Sequence, residues 1–175
     1  MLTMIIGGAG SGKSQYGEEL LQNCGCERKI YIATMLPTGE ESHQRILRHR
    51  AQRAGKGFET IECFTSLAKL RLPAGCGALL ECVGNLAANE LYSPQGAGNL
   101  AAEAITTGVE NLCRQAKEVI VVTNDVFSDG IDYDEGTEAY LRVMSQVHAW
   151  LARRADQVAE VVCGIPIIHK GGEKQ

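Results

Sequence analysis

The sequence predicts an α/β protein of three layers, a mostly parallel central sheet with helices on both faces. Two observations carry this. Short continuous Val/Ile/Leu runs read as strands buried on both faces, and the stretches between them are longer and amphipathic. At 175 residues the chain is long enough to bury one core without covalent staples, so residues 1–175 are expected to form a single domain.

The elements follow in order. Residues 3–6 are a short apolar run that meets a glycine cluster, and 12–22 read as a helix. Lys-Ile-Tyr-Ile-Ala-Thr at 29–34 is rich in β-formers and predicts a second strand. Residues 40–53 have helical character, 58–61 suit a short strand, and 65–70 suit a short helix. Gly-Ala-Leu-Leu-Glu-Cys at 77–82 is a buried strand that ends in an acid. Residues 92–99 carry Pro, Gly and Asn and read as a loop, and good helix formers fill 100–115. Glu-Val-Ile-Val-Val-Thr at 118–123 is the clearest buried strand, 135–154 a long helix, and 158–162 a last strand with a hairpin return through 166–169. Residues 170–175 read as a solvated tail. No repeat or low-complexity segment interrupts this order.

Composition narrows the function classes. The hydrophobic share is 45% and the charged share 22%, with a net charge of −4 and a pI near 5.6. An acidic balance argues against a nucleic-acid binder. No apolar run is long enough to span a bilayer, and the N-terminus lacks a basic leader, so a cytoplasmic protein without membrane insertion is expected. The seven cysteines are odd in number and irregularly spaced, which suits reduced thiols. Cys24 and Cys26 form the close pair, with no second pair at zinc-ligand spacing.

Gly7-Gly-Ala-Gly-Ser-Gly-Lys-Ser14 fits the phosphate-binding P-loop, glycine, four residues, then Gly-Lys-Ser. It stands between a predicted strand and a predicted helix, as the motif requires. Its glycines bring backbone N–H groups close to phosphate, and the following helix adds unpaired N–H groups and a positive dipole end. Lys13 belongs against the β- and γ-phosphates, and the Ser14 hydroxyl on Mg²⁺. The expected fold is therefore that of the P-loop NTPases. The motif specifies a nucleoside triphosphate and leaves the reaction open. A second acid is expected at a neighbouring strand end, and Glu81 and Asp125 both qualify, each able to hold magnesium or a ribose hydroxyl.

A second informative segment is Gln44-Arg-Ile-Leu-Arg-His-Arg-Ala-Gln-Arg53. On a helix, Arg45, His49 and Arg53 share one face, with Arg48 and Arg50 beside it. Guanidiniums around an imidazole favour its neutral, nucleophilic form and could hold the phosphates it attacks. The competing reading is a basic helix surface with an incidental histidine. His43, His148 and His169 lack such company and read as surface or packing residues.

Together these segments resemble the bifunctional adenosylcobinamide kinase / adenosylcobinamide-phosphate guanylyltransferase family of cobalamin biosynthesis. The P-loop, Tyr31-Ile-Ala-Thr34, the order Arg45-Ile46, His49, Arg53, Thr60 and Glu62, then Leu79-Leu-Glu-Cys82, Val122-Thr-Asn-Asp-Val126, Ala155-Asp-Gln-Val158 and Cys163-Gly-Ile-Pro166 carry the likeness. The resemblance implies a transferase of two activities. ATP or GTP phosphorylates the aminopropanol hydroxyl of adenosylcobinamide, a corrinoid, and GMP from GTP is then placed on that phosphate, with pyrophosphate released. It implies His49 as the GMP carrier and Lys13 as its catalytic companion. It implies nucleotide contacts at Gly7, Gly8, Ala9, Gly10, Ser11, Gly12, Lys13, Ser14, Ala33, Thr34, Met35, Arg50, Ala51, Gln52, Arg53, Glu62 and Glu81, and Mg²⁺ at Ser14 and Glu81. It implies a homo-oligomer, trimeric in form. The chain departs from the family pattern at Gly10, Arg48, Phe58, His148 and residues 36–42. A single-activity P-loop kinase and a non-catalytic GTP-binding regulator are the alternatives.

Overall fold

The computed structural model describes residues 1–127 and 133–172, apart from the side chains of Glu41, Arg45 and Gln52. In chain order these residues form β1 (Leu2–Gly7), α1 (Lys13–Asn23), β2 (Lys29–Ala33), α2 (Gly39–Arg53), β3 (Phe58–Glu62), β4 (Gly77–Leu80), α3 (Val83–Tyr92), α4 (Ala101–Gln115), β5 (Glu118–Asn124), α5 (Glu135–Arg154), β6 (Gln157–Val162) and β7 (Ile165–Lys170). The strands make one sheet in the order β3-β2-β4-β5-β1-β6-β7. Every pairing from β3 to β6 is parallel, and β7 returns antiparallel on β6.

Alternation along the strands builds two cores. Leu2, Met4, Ile30, Ile32, Leu80, Val119 and Val121 point to the side covered by α3, α4 and α5. Ile5, Tyr31, Leu79, Ile120 and Val122 point the other way, where Leu21 of α1 packs on them. Both faces are covered, which is why the central strands read as unbroken apolar runs. This is the three-layer, mostly parallel arrangement that the sequence predicts. Consecutive strands run from β1 outward to β2 and β3, back through β4 and β5, and finally past β1 to β6. The carboxyl ends of β1, β4 and β5 therefore open on one crevice, where ligands bind in sheets of this kind.

Three segments differ from expectation. Helix α3 is not signalled by the sequence, because Val83-Gly84 is a poor start and the position before it is a cysteine. The Cys82 Sγ serves as the cap, accepting the Asn85 N–H at 3.4 Å. The helix also buries polar side chains that blur its apolar stripe. Glu90 is 2% exposed because its carboxylate accepts the N–H groups of Ser66 at 2.6 Å and Ala97 at 2.9 Å. The helix expected at 65–70 shortens to a 3-10 turn at Leu67–Lys69. The expected tail at 170–175 does not begin at Lys170, which ends β7 and donates to the carbonyls of Ala152 at 3.2 Å and Arg153 at 2.9 Å. A lysine is well placed there, at the negative end of α5. Residues 173–175 lie outside the described residues.

Burial separates α3 from α2. Leu86 is fully buried and Leu47 is 57% exposed. Leu86→Ala is expected to lower the unfolding free energy by about 2–5 kcal/mol, and Leu47→Ala to change it by about 0.5 kcal/mol or less. Urea denaturation of the two variants beside the parent chain measures both.

Candidate active site

The phosphate loop is shaped by β1 and α1. Gly12 caps α1 with φ 93, a left-handed conformation that a side chain would disfavour. Lys13 is 8% exposed, and its Nζ donates to the Gly8 carbonyl at 2.9 Å. Burial lowers its pKa from the ordinary lysine value, and the same burial leaves the side chain little water to shed when a phosphate arrives. The loop is braced from below. Asp125 N–H donates to the Gly7 carbonyl at 3.0 Å and Gly164 N–H to the Ser11 carbonyl at 2.8 Å. Residues 9–14 line a pocket of about 620 Å³ together with Met35, His49, Glu81, Cys82, Asn85 and Asn124.

Opposite the loop stands His49, on α2. Its Nδ1 lies 3.3 Å from Glu81 Oε1. Glu81, just past the end of β4, is 8% exposed, and its Oε2 accepts the Thr34 N–H at 3.0 Å. Burial alone would raise the Glu81 pKa. Hydrogen bonds from His49, the Thr34 N–H and the Tyr31 hydroxyl outweigh it and hold the carboxyl below its ordinary value. An ionised carboxylate only accepts, so the Nδ1 facing it carries a proton. Nε2 of a neutral ring then keeps its lone pair, and the contact with Glu81 fixes the tautomer.

Arg50 and Arg53 border a small cavity together with His49, and each also has a partner of its own. Arg50 is engaged by Glu62 at 2.9 Å, with both side chains about half exposed. Arg53 lies over Tyr31, its Cζ 3.5 Å from the ring centroid, with Nη1 buried and unpartnered in the described structure. Arg48 is exposed, and the Arg45 side chain is outside the described residues. The charged group next to the imidazole is a carboxylate, which a reading of local spacing on α2 had no means to supply.

The remaining expected residues sort by position. Met35, His49 and Glu81 border both the P-loop pocket and a small cavity of about 20 Å³ that also touches Ala33, Arg50, Arg53, Thr60 and Glu62. Arg50, Arg53, Thr60 and Glu62 continue into an open cleft beside β3. His49 thus stands where two recesses meet. Thr34 lines none of these recesses. It is fully buried, with its N–H on Glu81, its hydroxyl on the Cys82 carbonyl at 3.0 Å and its carbonyl on Asn89 at 2.8 Å, so it reaches the site through Glu81. Ala51 is exposed and lines none of these recesses, and the Gln52 side chain is outside the described residues. Of the two candidate strand-end acids, Glu81 enters the pocket and Asp125 is exposed, accepting the Phe127 N–H at 3.2 Å. Sequence reasoning missed Glu18, Lys56, Asn85 and Asn124, which also line the pocket. His148 is a packing residue as expected, 2.7 Å from the Thr123 hydroxyl.

A family model described as cobinamide kinase / cobinamide phosphate guanyltransferase matches residues 3–168. The chain belongs to this family. It is 30% identical to the bifunctional adenosylcobalamin biosynthesis protein CobP of Pseudomonas aeruginosa, with 98% of each chain covered. It is 28% identical to the CobU proteins of Salmonella typhimurium and Escherichia coli, with 95% of this chain and 98% of each relative covered. Two solved structures share the fold at lower identity. A Pyrococcus horikoshii OT3 protein gives a TM-score of 0.51 at 11% identity, over 99% of this chain and 87% of that one. An ATPase domain gives 0.50 at 10% identity, over 91% and 68%. As a cobinamide kinase / guanyltransferase family member the chain is a transferase built on a P-loop fold. No described helix is long and apolar enough to cross a membrane.

The Glu81 environment has a signature in pH. A carboxyl held below its ordinary value of 4.5 contributes stability above that value, and the contribution is lost as pH falls through the folded-state pKa. The stability difference between the parent chain and Glu81→Gln is therefore expected to be widest near neutrality and to narrow steadily below pH 4.5. Denaturant melts of both proteins across this range measure the gap, and a constant gap would show that the carboxyl is not held in its ionised form by the fold.

Proposed function

We propose that this chain phosphorylates adenosylcobinamide with ATP or GTP and then transfers GMP from GTP to the resulting phosphate through a guanylyl-histidine on His49. The observation that carries the reading is the place of His49, facing the P-loop pocket on one side, backed by Glu81 on the other. In the first half-reaction Nε2 of His49 attacks the α-phosphorus of GTP. The N–P bond forms, the bond to the β-phosphate oxygen breaks, and pyrophosphate leaves. Glu81 balances the positive imidazole at Nδ1 as Nε2 bonds to phosphorus. In the second, an oxygen of the corrinoid phosphate attacks the same phosphorus, the N–P bond breaks, and His49 is returned with its lone pair. Two displacements replace one between crowded anions.

Lys13 and the N–H groups at the start of α1 neutralise the charge that develops on the leaving phosphates. Ser14 lines the pocket and would hold Mg²⁺ together with phosphate oxygens. Magnesium when bound supplies further charge neutralisation. Glu81 fits that ion poorly, because both of its oxygens already have protein partners. We also place this chain in a reducing, cytoplasmic compartment as a homo-oligomer, trimeric by the resemblance. All seven cysteines are free thiols, and the edge strand β7 exposes Ile165, Ile167 and Ile168, which supports association.

The test is covalent. Incubated with Mg²⁺ and GTP labelled at the α-phosphate, then denatured, the parent chain is expected to retain acid-labile, base-stable label, and His49→Ala none. Lys13→Met is expected to slow label formation about 10²–10³-fold. An unlabelled parent chain that binds GTP would sink the histidine intermediate and leave a P-loop kinase.

A further inference from the structure

Glu18 is a buried acid in an unexpected place. It lies on α1, four residues after Ser14 and so on the same helix face, is 6% exposed and lines the P-loop pocket. A desolvated carboxylate beside a site for phosphates is costly unless a cation holds it. Lys56 is that cation, its Nζ 2.7 Å from Glu18 Oε2. Lys56 belongs to the turn that leaves α2, where Gly55 and Gly57 take φ values of 81 and 74. These left-handed residues fold the chain back, and the lysine between them reaches across to α1.

The contact matters because α2 has little apolar hold. Among its described side chains Arg53 alone is buried, stacked on the Tyr31 ring of β2. Arg50–Glu62 is an exposed pair, at 55% and 53%, and such pairs hold weakly. The Glu18–Lys56 pair is better sheltered, at 8% and 31%, and it joins the end of α2 to the helix whose first turn carries Lys13 and Ser14.

We infer that Glu18 and Lys56 form a positioning clamp for histidine guanylylation. Fastening the C-terminal end of α2 to α1 sets the approach of His49 to a triphosphate seated on the P-loop. Lys56 is a positioning residue and Glu18 its anchor. The inference rests on the reading of His49 as the GMP carrier.

The experiment uses the full chain with Mg²⁺ and α-labelled GTP, comparing the single-turnover rate of label formation at saturating GTP with the dissociation constant for GTP. Lys56→Met is expected to slow labelling by about 10-fold to 10²-fold, as misplacement of a reacting group does, with GTP affinity changed by about two-fold or less. Lys56→Arg and the exchanged pair Glu18→Lys with Lys56→Glu are expected to recover most of the rate, since either restores the tie. Equal rates in Lys56→Met and the parent chain would overturn the clamp. So would a parallel loss of GTP affinity that the exchanged pair fails to restore, which would make Lys56 a phosphate contact. Thermal melts separate these outcomes from misfolding, and Lys56→Arg keeps the comparison open if the methionine variant unfolds. An unlabelled parent chain sinks the His49 reading itself, whereas a labelled parent chain with unaffected Lys56→Met sinks the clamp alone.

Discussion

Glu81 is a charge taken out of water at the point where β4 ends, and much of the site is arranged to satisfy it. A buried carboxylate persists only with donors on its oxygens. Here three donors come from two parts of the chain, the Tyr31 hydroxyl and Thr34 N–H on and just past β2, and the His49 ring on α2. Meeting that one demand fixes the end of β2 against the end of β4. It also gives α2 a reason to lie with His49 inward. The same contact sets which imidazole nitrogen is protonated, so structural and chemical requirements fall on a single pair of oxygens.

Around this fixed point the site divides into contacts that are costly to exchange and contacts that are cheap. The P-loop is held by backbone bonds from Asp125 and Gly164, and Lys13 is buried against its own loop. Arg50 and Glu62 meet in the open, where an ion pair is worth at most about 1 kcal/mol. A guanidinium so lightly engaged can turn to a phosphate or a base at little cost. Cys82 illustrates the other class. Burial raises its thiol pKa above the ordinary value, and its Sγ accepts the Asn85 N–H at the start of α3.

Legibility in the sequence followed distance along the chain. The P-loop is a local pattern whose flanking strand and helix are also local, so its eight residues were placed from the sequence. The buried strands were legible for the same reason. The role of Glu81 was only half visible. As a strand-end acid it was singled out, but the histidine that it orients lies 32 positions earlier, and nothing in either segment names the other. Helical spacing put Arg50 and Arg53 near His49, but it describes neighbours on one helix and is silent about the carboxylate beneath. Helix α3 escaped because its buried Asn89 and Glu90 answer to Thr34 and Ser66, far away in the chain, and to Ala97 just past the helix, and polar side chains used in this way dilute the amphipathic signal. Glu18 and Lys56, 38 residues apart, left a fainter trace, a lysine between two glycines directly after a helix.

The balance of cores and clefts explains why the two recesses meet at a histidine on α2 and not on the sheet. A side chain on β4 or β5 would be fixed against one pocket, because strand side chains alternate between faces and both faces are filled. A helix lying over the strand ends presents a ring to the space between recesses, with one nitrogen turned to Glu81 and the other away from it. The price in stability is a helix with almost no buried apolar side chain. Polar contacts at His49, Arg50, Arg53 and the following turn offset it, and each reaches a different element, β4, β3, β2 and α1. In the proposed guanylyl transfer the histidine would face a nucleoside triphosphate and afterwards a bulky phosphorylated acceptor, which needs space on its open side that a filled core would deny.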